Sequence, residues 1–184
     1  MKSLYIFLTR TESIVSKIVY FFTRAPYTHS AIAFDEDLDL LCSSSRKDGI
    51  HMFPSGPCRE YLNRGFYARP RPTPCTILKL DVSEEVYQNA LLETEYFLEH
   101  HEEYKFNILG LMSCKFGIGL KRRNKFFCSQ FVAEILTRSG AVSLPKPPCL
   151  MRPIDYTKLP QVKEVFKGNI KQFKNLKQKE TLMV

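Results

Sequence analysis

A strand-like run, THSAIA at residues 28–33, precedes by a long stretch of chain the run FCSQFVAEILT at 127–137, which has helical spacing. Whatever this chain folds into must therefore carry a histidine on a strand first and a cysteine at a helix start later. Strand alternation puts His29 with Ala31 and Ala33 on one face, and Ser30, Ile32 and Phe34 on the other. The helix gathers Phe131, Val132, Ile135 and Leu136 on one apolar side, which predicts packing against a sheet. Small alanines beside His29 leave room for a helix end to approach, so thiol and imidazole are expected to meet.

A thiol in the first turn of a helix faces free backbone N–H groups and the positive end of the helix dipole, and both favour thiolate over thiol. Cys128 is accordingly the candidate nucleophile and His29 its base. Taken alone, a phenylalanine-flanked cysteine reads as a core residue; the paired histidine is what points to chemistry. Such a pair needs a third polar group to hold the second ring nitrogen. The next strand offers Ser44, with Ser43 and Ser45 as alternatives on either side.

Along the rest of the chain, residues 3–8 read as a short buried strand and 12–22 as a helix that Pro26 terminates. A hairpin follows, with strands at 30–34 and 38–44 around the acidic turn Asp35, Glu36, Asp37, and 50–53 adds a further short strand. Residues 54–74, rich in Pro, Gly and Arg, predict a long surface loop beside a substrate groove. A strand at 76–80 then leads to a helix capped by Asp81 or Ser83 that runs to about His101. The Cys128 helix closes at Gly140. Asp155 opens a helical turn, and 162–166 return as a strand. The domain is expected to span 1–170, with 171–184 as a loose, lysine-rich tail.

The 184 residues, 44% hydrophobic and 25% charged, suffice for one core. No apolar stretch is long enough to cross a bilayer and no export signal is recognisable, so a cytoplasmic protein with free thiols is expected. The six cysteines contain no Cys-x-x-Cys pair, and no histidine stands at a zinc-ligand interval from them. The net charge of +8 includes a basic run at 121–125. Such a field attracts anionic partners, but no nucleic-acid motif accompanies it.

THSAIA (28–33), YKFNILG (104–110) and FCSQFV (127–132) resemble the YiiX-like branch of circularly permuted papain-fold proteins, relatives of the NlpC-type cell-wall peptidases. The resemblance covers about residues 3–156. It implies an α+β, papain-like fold with a small antiparallel sheet packed against the cysteine-bearing helix. It also implies Cys128 as nucleophile, His29 as base, Ser44 as the nearest match to the third position, and Tyr156 and Tyr104 beside the substrate. No cofactor is implied. The expected chemistry is amidase or peptidase hydrolysis through an acyl-thioester, on a peptide, amide or lipid-acyl substrate of anionic character. Two alternatives share the fold: a lipid acyl hydrolase or acyltransferase, and a binding scaffold that a carboxylate-free triad would leave weak in catalysis.

Overall fold

The unbroken apolar run at residues 4–8 belongs to a strand covered on both faces. A computed structural model describes residues 1–10, 20, 25–46, 55–65, 67–69 and 72–181. In chain order they form β1 (Lys2–Thr9), β2 (His29–Ala33), β3 (Leu41–Arg46), β4 (Ser55–Glu60) and β5 (Pro74–Val82), then α1 (Glu84–Glu99), β6 (Lys105–Phe106) and α2 (Ile108–Lys115). β7 (Lys125–Phe126), α3 (Cys128–Arg138), 3₁₀ turns at Pro148–Leu150 and Pro153–Lys158, β8 (Val162–Asn169) and α4 (Ile170–Thr181) complete them. The fold is α+β, built on a six-stranded sheet in the order β4-β3-β2-β1-β5-β8 with every pairing antiparallel. The expected helix at 12–22 (Tyr20 apart) and the expected strand at 50–53 lie outside the described residues.

β1 sits inside the sheet, so its alternating side chains serve two cores. Leu4, Ile6 and Leu8 join Ile32, Phe34 and Cys42 beneath α1 and α3, while Tyr5 and Phe7 join Ala31, Ala33, Leu41 and Ile77 against Ile170 and Phe173 of α4. A strand buried on both sides reads as continuous hydrophobicity rather than alternation. α3 is buried at every position from Cys128 to Leu136. It packs, as its pattern predicts, on the sheet, but on the Ile32 face. The alanines behind His29 face the other core, so they do not make room for α3.

Residues expected to form one long loop include a strand. β4 pairs with β3 at six positions, from Leu41↔Glu60 to Arg46↔Ser55. Its composition, Ser-Gly-Pro-Cys-Arg-Glu, hides it. Pro57 is tolerated because β4 is the edge of the sheet, where a missing N–H breaks no second ladder. The lysine-rich end, expected as a loose tail, is helical through Thr181 and is pinned by buried Ile170 and Phe173. β3 starts later than expected because Asp35 folds the turn: its carboxylate accepts from the N–H groups of Asp39 and Leu40, both at 2.8 Å, and Leu38 adopts φ +61°. Ser83 caps α1 by accepting from the Val86 N–H. No helix among the described residues is long and apolar enough to cross a membrane.

Gly56 fixes where β4 lies. A Cβ there would stand 2.6 Å from the backbone oxygen of Tyr104, closer than any side chain tolerates. Gly56→Ala is therefore expected to destabilise the fold by about 1–3 kcal/mol through overpacking against backbone. Urea unfolding checks this, and an unchanged midpoint would show that the approach is not tight.

Candidate active site

β2 and β3 pair only at Ile32↔Cys42 and Ala33↔Leu41, and toward His29 they part. The start of α3 enters that opening. The Cys128 sulfur lies beside the backbone N–H of Ser30 on β2 and of Ser129 in its own turn, both of which favour its charged form. Ser43 donates to the Ser30 carbonyl at 2.8 Å, and Ser44 donates to the Phe126 carbonyl at 2.9 Å. Both serines are fully buried; Ser43 satisfies the Ser30 carbonyl that the parted strands would otherwise orphan, and Ser44 gives a second donor to the Phe126 carbonyl, which also accepts from the Asn107 N–H. Cys128 thus reaches His29 around the end of β2 rather than across its face.

The two side chains lie close enough that each favours the charged form of the other. Burial alone would raise the Cys128 pKa, but His29 and the two N–H donors outweigh it and hold it below its usual value. Burial likewise works to lower the His29 pKa, yet the charge of Glu60, with Cys128, pushes it up to about 10. The other cysteines behave differently. Burial pushes Cys42 and Cys75 up to about 12 and raises Cys114. Among the shifted thiols only Cys128 is poised as a nucleophile. Cys42 lies fully buried in the core beside Ile32.

Glu60, at the end of β4, takes the third position in place of Ser44. Its carboxylate lies 3.0 Å (Oε1) and 3.1 Å (Oε2) from His29 Nε2, which leaves Nδ1 for the thiol. Ser45 donates to Oε1 at 2.6 Å and Tyr67 donates to Oε2 at 2.8 Å. With the Glu60 side chain 10% exposed and that of His29 12%, neither charge has water enough to stand alone. Burial would raise the Glu60 pKa, but His29 and the two hydroxyls hold it below the usual carboxylate value. Tyr67 is in turn fixed edge-on to Phe7, ring centres 5.6 Å apart.

Both members of this pair stabilise the fold through their shifts. The raised His29 contributes fully below its ordinary value of 6.5, and that contribution is lost as pH rises through about 10. The lowered Glu60 contributes above its ordinary 4.5, and that contribution is lost as pH falls through its depressed value.

Tyr156 does not stand where a substrate would touch it, and Tyr104 is half-buried. Tyr156 is fully buried; its hydroxyl donates to the Ser129 carbonyl and meets the Ala133 N–H, so it lies across a rung in the first turn of α3. It steadies the helix that carries Cys128. Tyr104 packs on Phe97 and Phe126, with ring centres 5.0 and 5.7 Å away. The sequence reading missed Glu60 and Tyr67. The available signal was the sole acidic residue between Asp48 and Asp81, one strand beyond the serines, masked by the assumption of a loop.

Three buried polar atoms have no hydrogen-bond partner among the described residues: the Ser30 hydroxyl and both amide atoms of Gln130. All belong to residues adjoining the thiol's own contacts. Unsatisfied buried groups are costly, and these stand within two residues of either His29 or Cys128 along the chain. Next to it, a cavity of about 210 Å³ is lined by Phe127 and Ser129, which flank Cys128, and by Pro26, Tyr27, Met112 and Ile154. Cys128 itself is buried, with 5% of its surface exposed. No group of three or more His, Cys, Asp or Glu among the described residues is placed to hold a metal ion.

The assignment of the third position separates two variants. Glu60→Gln removes the charge that raises His29, so the pH at which Cys128 becomes readily alkylated should move upward and neutral-pH alkylation should slow by about tenfold or more. Ser44→Ala should leave that profile in place and cost about 1 kcal/mol of stability through a lost buried hydrogen bond. Iodoacetamide kinetics across pH, with urea unfolding, check both; the opposite pattern would restore Ser44.

Across the known proteins compared, the chain matches no family model and no curated protein is significantly similar to it.

Proposed function

We propose that this chain is a cysteine hydrolase of the permuted papain-like kind, acting on an acyl bond through a thioester at Cys128. The observation that carries the reading is the buried line of Glu60, His29 and a thiol with lowered pKa. In this reading the Cys128 thiolate attacks the carbonyl carbon, and its electron pair forms the C–S bond while the carbonyl oxygen becomes the oxyanion. The first-turn N–H groups of α3, which lack helical acceptors, are the natural donors to that oxygen. Collapse of the intermediate breaks the bond to the leaving group, which takes its proton from the His29 imidazolium. Water then attacks the thioester with neutral His29 removing its proton, and Cys128 departs as thiolate.

Glu60 serves each step without reacting. It keeps the ring turned with Nδ1 toward sulfur and offsets the imidazolium charge in a site where water cannot. The scaffold alternative drew its support from a triad without a carboxylate, and Glu60 removes that support. A lipid acyl hydrolase remains the second reading, favoured by the apolar cavity at Phe127 and Ser129. None of the six cysteines is joined in a disulfide, which supports a reducing, cytoplasmic setting.

Cys128→Ser is expected to abolish turnover and His29→Ala to lower it by about a thousandfold or more, on whichever of a panel of peptide amides and ester lipids the protein cleaves. Mass spectrometry of the quenched wild-type protein should show an acyl adduct on Cys128. Undiminished turnover by Cys128→Ser would overturn the reading.

A further inference from the structure

α2 and the turn after it turn apolar side chains toward solvent. Phe116 is 70% exposed, Ile118 61% and Leu109 58%, with Ile108, Met112 and Leu120 also exposed. This display is not the fraying of a weak segment. Asn107, fully buried, accepts from the Gly110 N–H at 2.9 Å and donates to the Leu120 carbonyl at 3.2 Å, tying the helix start to the end of the turn. The Ile118 N–H reaches back to the Ser113 carbonyl at 3.1 Å, and Gly117 takes φ +73° to close the helix. The backbone is held so that these side chains face outward.

The charged residues of this stretch of chain have one sign. Between Glu103 and Glu134 the chain has no acidic residue, while Lys105, Lys115, Lys121, Arg122, Arg123 and Lys125 fall within that interval. Apolar side chains at a turn, bordered by lysine and arginine, fit a surface that is negatively charged outside and hydrocarbon beneath. An acidic protein would meet the charges but offer no depth for Phe116 and Ile118. The same helix supplies Leu111, Met112 and Lys115 to the cavity beside Cys128, so the exposed face and the candidate site share one wall.

We infer that the α2 face docks on an anionic phospholipid surface, and that the cavity receives an apolar chain presented from it. The substrate class rests on the hydrolase reading; the docking does not. The site would then work on a lipid-borne acyl group or a substrate anchored in lipid.

The test uses the full chain carrying Cys128→Ala, so that binding is read without turnover. Sedimentation with phosphatidylcholine vesicles is compared with phosphatidylcholine–phosphatidylglycerol vesicles. Binding should be at least about tenfold tighter to the anionic vesicles and should weaken with salt. Phe116→Glu with Ile118→Glu should abolish it, and Lys121→Ser, Arg122→Ser and Arg123→Ser together should remove the anionic preference. These side chains lie at the surface, and circular dichroism confirms that each variant is folded. No binding to either vesicle, equal binding to both, or full binding by both folded variants would overturn the proposal. Binding to soluble polyglutamate in place of vesicles would also overturn it, assigning the face to an acidic protein.

Discussion

A carboxylate taken almost wholly out of water must find donors, and Glu60 finds three. His29, Ser45 and Tyr67 come from different elements, so the requirement to satisfy one buried charge locks β2, β3 and the segment after β4 together. Removing one partner of a buried pair costs far more than the pair contributes, because an uncompensated charge remains. That asymmetry makes the arrangement intolerant of half measures. It also sets the chemistry, since the same charge that holds the ring keeps it protonated beside a thiol.

The parting of β2 from β3 is the second requirement. A regular ladder would consume the Ser30 N–H and leave no opening for the start of α3. Instead three consecutive serines divide the work: Ser43 takes the Ser30 carbonyl, Ser44 holds the Phe126 carbonyl, and Ser45 turns to Glu60. Meanwhile α3, apolar along its buried length, is anchored by Phe131, Val132, Ile135 and Leu136 in the larger core. Hydrophobic burial sets the helix direction, and hydroxyl-to-carbonyl bonds set where its first turn stops.

What was legible in the sequence was local. An unbroken apolar run exposed β1, period-two and helical patterns exposed β2, β5 and α3, and the thiol's place at a helix start is itself a local property. Register is not local. Whether Ser44 or Ser45 shares the histidine's side depends on how β3 meets β2 and β4, and a shift of one residue moves every side chain to the other face. β4 was illegible because Gly56 and Pro57 argue against a strand, and only its place at the sheet edge overrides that argument. Tyr156 was drawn toward the site by resemblance, and it is indeed bonded to the helix that carries Cys128, but as a buried support for the backbone.

The central claim is that Glu60 keeps the His29 imidazole protonated against a Cys128 thiolate. Nitrogen NMR of the folded protein, labelled at histidine and titrated with pH, reads that state at the ring itself. The account predicts that the His29 signals stay imidazolium-like through neutrality and move only as pH approaches about 10. A His29 ring that loses its proton near its ordinary value of 6.5 would contradict it.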